Sequence, residues 1–124
     1  IIKIRSSISI GMALRDALMT DERVASLATA CFPVVADDAT LPYITYYCGE
    51  MVEAATKDCR GYDRLRMFVE CYSADYDSGV ELAEAVREAL RNPGRGMRGC
   101  FLADRKELRA SGAFCQQMVF EIRN

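Results

Sequence analysis

The 124-residue chain contains no histidine, and that absence removes more chemistry than any motif supplies. Histidine is the side chain whose ordinary pKa suits proton transfer near neutral pH, and it completes mixed Cys/His zinc sites. Without it, general acid–base work falls to carboxylates, lysine, tyrosine or cysteine, and the acidic residues here are dispersed over predicted helix surfaces and turns. Charge of one sign is lacking too. With 16 basic against 18 acidic side chains, no global field draws the chain to nucleic acid or to an anionic membrane. No apolar run approaches the ~18 residues of a membrane-crossing helix. The opening IIKIRSSISIGMALRD lacks the basic start, apolar middle and small-residue cleavage site of a secretory signal, so the chain reads as soluble and cytoplasmic.

Six cysteines are present, but none forms a CxxC pair, so neither a disulfide framework nor a zinc site is implied. Cys48, Cys71, Cys100 and Cys115 fall inside predicted strands, where a reduced thiol behaves as a small hydrophobe. Cys59 sits in a polar loop and is the thiol expected to be exposed, with no activating base offered by the sequence. Asp37 with Asp38, and Asp75 with Asp77, lack the loop pattern of a calcium site and read as turn or helix punctuation. The loop NPGRGMRG (92–99) lacks the Lys-Ser/Thr ending of a phosphate-binding loop and precedes a strand rather than a helix. No aromatic residue interleaves with Arg95 and Arg98 to stack bases, which weighs against RNA. No catalytic residue, cofactor or metal ligand is implied.

What is present is scaffold. Ile10, Leu14, Ala17 and Leu18 recur at helical spacing after a Ser7 or Ser9 cap. Thr20 offers a second cap, with Asp21 and Glu22 in the first turn of a short helix through Val24, Leu27 and Ala28. Cys31 to Ala36 is β-rich but carries Pro33, which places it at a sheet edge or in an extended linker. Tyr43 to Cys48 is dense in aromatic and β-branched residues, as strands are. The next strand alternates clearly: Leu65, Met67, Val69 and Cys71 project to one face, and Arg64, Arg66, Phe68, Glu70 and Tyr72 to the other. An amphipathic helix follows through Val80, Ala83, Val86 and Leu90, supported by Leu82 and Ala89. Ser78 with Glu81 has capping-box spacing, with Asp75 or Asp77 as alternatives, and Asn92, Pro93 and Gly94 end the helix. Two last strands, Gly99 to Asp104 and Phe114 to Arg123, flank a charged turn through RKELRASG. The fold expected is one α+β domain over 1–124: a mostly antiparallel four-stranded sheet with helices packed on one face.

Four successive blocks, ALRDALMTDERVASL, FPVVADDATLPYITY, VECYSADYDSGVELAEAVREAL and CFLADRKELRASGAFCQQMVFEI, resemble the tail-completion family of long-tailed bacteriophages. The likeness covers nearly the whole chain in order. It implies a structural, non-enzymatic protein that forms a ring, usually six-fold, which caps the tail tube and mates with the head connector. Its partners would then be itself, the tail-tube protein and the head connector protein, with no membrane and no specific nucleic acid. Its place would be the bacterial host cytoplasm during assembly and then the virion tail. A protein-binding adaptor of similar fold is the competing reading.

The ring that the resemblance implies needs contact surfaces, and the sheet face and the loops at its ends offer candidates. The segment MVEAATKDCRGYD is too long for a tight hairpin and offers Met51, Val52, Lys57 and Arg60. Arg64 and Arg66 lie on the polar face of their strand, and Arg95 and Arg98 in the glycine-rich loop. The plain alternative for each is a solvated surface, and for the first segment a longer hairpin.

Overall fold

The computed structural model describes residues 7–36, 40–53, 63–91, 99–110 and 112–124. Helices α1 (Ile10–Met19), α2 (Glu22–Leu27) and α3 (Tyr76–Arg91) accompany strands β1 (Cys31–Pro33), β2 (Tyr43–Val52), β3 (Arg64–Ser73), β4 (Gly99–Ala110) and β5 (Ala113–Arg123). The stripe read from the sequence is the buried face of α1, formed by Ile10, Ala13, Leu14, Ala17 and Leu18. Ser9 stands at its N-cap but makes no capping side-chain bond there. Thr20 does not cap α2. Its hydroxyl donates back to the Asp16 carbonyl at 2.7 Å, and the Asp21 carboxylate instead accepts from the Arg23 and Val24 N–H groups, each at 3.1 Å. A charged acceptor facing the positive helix end does this better than a hydroxyl already engaged elsewhere.

The sheet has five strands, in the order β1-β2-β3-β5-β4, rather than four. The extra one is Cys31–Pro33, which pairs parallel with β2 and makes the sheet mixed. Pro33 tolerates this position because an edge strand leaves some donors unused, and the Val34 N–H bonds the Tyr46 carbonyl at 2.8 Å just beyond it. The other pairs, β2·β3, β3·β5 and β5·β4, are antiparallel. β3 and β4 therefore run in the same direction, α3 links them, and β5 fills the position between.

The charged stretch after Asp104 is strand, not turn. β4 continues to Ala110 in register with β5, and the turn tightens at Gly112, whose φ of +77° suits glycine. The side chains from Arg105 to Arg109 are exposed on an edge strand, where charge discourages unwanted pairing. Polarity there marks an edge, which a polar turn resembles in sequence.

Helices α1 and α3 pack on one face of the sheet, and α2 packs against them. From below, Ile44, Tyr46, Leu65, Met67, Val69, Cys71, Met118, Phe120 and Ile122 meet Leu82, Ala83, Ala85, Val86 and Leu90 of α3 and the buried stripe of α1. Each fully buried Leu or Val contributes roughly 1.5–3 kcal/mol. The alternation of Leu65, Met67, Val69 and Cys71 predicted for β3 is found in full. Val80 and Ala89 of α3 are half-buried flanks of its stripe. The cap of α3 is Asp75, which accepts from the Ser78 N–H at 3.1 Å and the Ser78 hydroxyl at 2.7 Å, so Ser78 does not cap with Glu81. Asn92, Pro93 and Gly94 lie outside the described residues.

Candidate functional site

The helices leave the second face of the sheet uncovered among the described residues, and aromatic rings line it. The alternation that sends Leu65 and Met67 inward sends Phe68, Glu70 and Tyr72 outward. Tyr43 stacks on Tyr72 with ring centroids 5.0 Å apart, and Phe32 meets Tyr43 edge-on at 6.1 Å. Tyr47 stacks on Phe68 at 5.0 Å. Between these stacks the Glu70 carboxylate accepts from the Thr45 hydroxyl at 3.1 Å, the Tyr72 hydroxyl at 3.2 Å and the Gln117 side-chain amide at 2.7 Å. Three neutral donors from three strands thus fix one carboxylate and lock the register of this face. Burial, with Cys115 and Glu70 nearby, pushes the Tyr72 phenol well above its ordinary value.

A second polar network ties α3 to the edge strand. The Glu107 carboxylate accepts from the Tyr76 hydroxyl, from Arg105 at 2.9 Å and from Gln116 at 3.0 Å, while Arg105 also donates to the Gln116 carbonyl at 2.6 Å. The bond from Tyr76 chiefly, then that from Gln116, holds the Glu107 carboxyl below its ordinary value. A group with a depressed folded pKa stabilises the fold above its unfolded pKa, and that contribution is lost as pH falls through the folded value. Thermal unfolding between neutral and acid pH is therefore expected to show a falling midpoint, and Glu107→Gln a shallower fall. The Asp75 cap, whose carboxyl is likewise lowered by its bonds from Ser78, leaves a residual slope in that variant. Identical acid limbs in the two proteins would refute the assignment.

The thiols are arranged for packing. Cys31, Cys48, Cys71, Cys100 and Cys115 are all free. Burial pushes Cys31 and Cys100 up to about 12 and Cys115 up to about 11, and raises Cys71 further still, which keeps them protonated and poorly nucleophilic at neutral pH. Cys48 departs from the buried state expected of it: it is exposed, at the end of β2 that β1 does not cover. Cys59 lies outside the described residues, as do Asp37 and Asp38. No cluster of three or more potential metal ligands occurs among the described residues, nor any helix long and apolar enough to cross a membrane.

Sheet register brings four of the eight candidate contact residues together. Val52 pairs with Arg64, and Glu50 with Arg66, at one end of the sheet, with Met51 between them on β2. Met51 and Val52 are 38% and 41% exposed. Lys57, Arg60, Arg95 and Arg98 lie outside the described residues.

Sequence reasoning missed the groove between α3 and β4. One cavity there, of about 100 Å³, is lined by Leu90, Cys100, Leu102 and Phe120, with Arg87 and Arg91 at its rim. A second, of about 220 Å³, lies on the other side of Arg87, towards Arg105 and Met118. The only signal for it was the positive charge of Arg87 and Arg91 one helical turn apart on α3.

These features define a class: a small α+β structural domain whose distinctive parts are an aromatic sheet face, two edges left open among the described residues and a shallow basic groove. The chain matches the family model described as tail completion protein gp17 over residues 12–123, and it belongs to that family of phage structural proteins. No curated protein matches it at a significant level. Among solved structures, a chain from the virion of a native gene transfer agent particle is similar, with TM-score 0.71 and 21% identity over 95% of this chain and 98% of that one. The gp17 protein of bacteriophage SPP1 is similar with TM-score 0.61 and 15% identity, over 95% of this chain and 90% of that one. At such identities the likeness is one of fold.

Proposed function

We propose that this chain completes a phage tail by forming a ring of its own copies, six by the family resemblance, that caps the tail tube and joins it to the head connector. The family match along residues 12–123 carries this reading. A ring built from one chain needs two different, complementary surfaces on each subunit. The β1/β2 edge and the β4 edge, which differ in length, charge and covering, suit that need. The aromatic face around Glu70 and the end of the sheet carrying Met51, Val52, Arg64 and Arg66 would meet the tail-tube and connector proteins, with Lys57, Arg60, Arg95 and Arg98 as further contacts. The protein acts without catalysis, cofactor, membrane or specific nucleic acid, as one domain over residues 1–124. It is made in the host cytoplasm and ends in the virion tail.

The test is the mass of the purified chain by light scattering, alone and with detached tail tubes from a related phage, scored by electron microscopy. Rings, or a cap at one tube end, are the expected result. A chain that stays monomeric and ignores the tubes would overturn the reading in favour of an adaptor of the same fold.

A further inference from the structure

We propose that, within the ring, the uncovered end of β2 in one copy docks along β4 of the next and places Met51 in the cavity between α3 and β4. The inference rests on the ring reading and specifies its subunit contact. β2 and β4 are separated by three antiparallel pairings and so run in opposite directions. Rotation about a ring axis parallel to the strands preserves direction and height. β2 of one copy therefore meets β4 of its neighbour antiparallel, with the β2 bulge between Cys48 and Glu50 inside the docking segment, and residues in the same row of the sheet meet at the same level.

The rows can be followed across the sheet. Met51 pairs with Leu65, Leu65 with Ile122, and Ile122 with Cys100; likewise Cys48 lies in the row of Met67, Phe120 and Leu102. These residues all face the helices. Met51 from one copy thus arrives opposite Cys100 of the next, at the mouth of the 100 Å³ cavity that Leu90, Leu102 and Phe120 line. An unbranched thioether suits such an irregular apolar space, and the contact covers a side chain that is 38% exposed in the single copy.

Charge is complementary as well. The docking segment carries Glu53 just after its apolar pair, and the cavity rim carries Arg87 and Arg91. Arg91 is paired within its helix to Glu88 at 3.2 Å, whereas Arg87 has no ion pair among the described residues. Glu53 lies just beyond the end of β2, two residues after Met51, and is exposed.

The edges also set where pairing stops. β1 covers β2 only at Ile44, Thr45 and Tyr46, and the bulge in β4 between Leu102 and Asp104 bends that strand just before the level at which the covered part begins. Contact is confined to Tyr47–Val52 against the Gly99–Leu102 end of β4.

Disulfide trapping tests this directly. Directly opposed residues on antiparallel strands have Cα atoms about 4.5–5.5 Å apart, inside the range that a disulfide spans. Met51→Cys in a Cys48→Ser background is assembled on tube ends, oxidised and run on a denaturing gel without reductant. A ladder of covalent multimers that disappears in the further variant Cys100→Ser is expected. As a second measure, Arg87→Glu should weaken ring assembly about tenfold or more, and Glu53→Arg in the same chain should restore it. Rings seen by microscopy with no ladder, a ladder indifferent to Cys100→Ser, or adducts with the tube protein instead would overturn this contact while leaving the ring intact. Failure to form rings at all would overturn the ring reading, and this contact with it.

Discussion

Phe120→Ala is expected to lower unfolding stability by about 3–5 kcal/mol, the usual cost of emptying a buried aromatic site, measured as a shift of the urea midpoint at unchanged slope. The ring is 2% exposed and stands on β5 between two neighbours that cannot close the gap. Met67 faces it from β3 and Leu102 from β4, both in register with Phe120, β3 in an unbroken ladder and β4 with a bulge just beyond Leu102. A sheet cannot contract locally without breaking those ladders, so the vacated volume persists and joins the adjoining 100 Å³ cavity. The cost should fall in the upper half of that range. Arg87→Ala, at the rim of the same cavity but exposed, should stay within about 0.5 kcal/mol. A small loss for Phe120→Ala would mean that α3 settles onto the sheet when the ring is removed. The α3–β4 groove would then be a soft feature and a poor seat for a partner.

The same rows explain what could be read from the sequence. β3 was fully legible because it is central and covered by helices on one side, so burial wrote a period of two into Leu65, Met67, Val69 and Cys71. The α1 and α3 stripes were legible for the same reason. β4 was half legible: as an edge strand it carries Arg105, Lys106, Glu107 and Arg109, and a solvated edge and a solvated turn have the same composition. β1 was ambiguous because Pro33 suits both an edge strand and a linker. The caps at Asp21 and Asp75 were decided by which oxygen reached the free N–H groups, which spacing does not carry. Among the contact residues, Met51 and Val52 stood out as apolar residues in a polar segment. That they share an end of the sheet with Arg64 and Arg66 is a product of strand pairing, which sequence alone does not give. The α3–β4 groove was invisible because Arg87 reads as any solvated helix position until β4 is placed beside it.

Gly79→Ala should destabilise the protein even though alanine is the better helix former by about 1 kcal/mol. Gly79 lies in the first turn of α3, buried against the end of β3. A methyl group there would sit 2.5 Å from the Ser73 hydroxyl oxygen, and that residue is fully buried. The hydroxyl cannot simply rotate away, because it donates to the Asp75 carbonyl at 2.7 Å and so closes the turn from β3 into α3. Either the bond is lost, at about 1–3 kcal/mol for a buried polar group left unpaired, or α3 lifts, with a similar cost for overpacking. Set against the gain in helix propensity, the net loss expected is about 0–2 kcal/mol. Adding Ser73→Ala removes the oxygen that clashes and leaves the proposed methyl beside Cβ of residue 73 at an ordinary 3.6 Å. The double variant should therefore be more stable than Gly79→Ala alone, a coupling that independent sites would not show. Because this turn sets the height of α3 above the sheet, Gly79→Ala should also alter the groove beneath Arg87 and weaken ring assembly, and Ser73→Ala should restore it. Recovery of stability without recovery of assembly would separate the groove from the subunit contact.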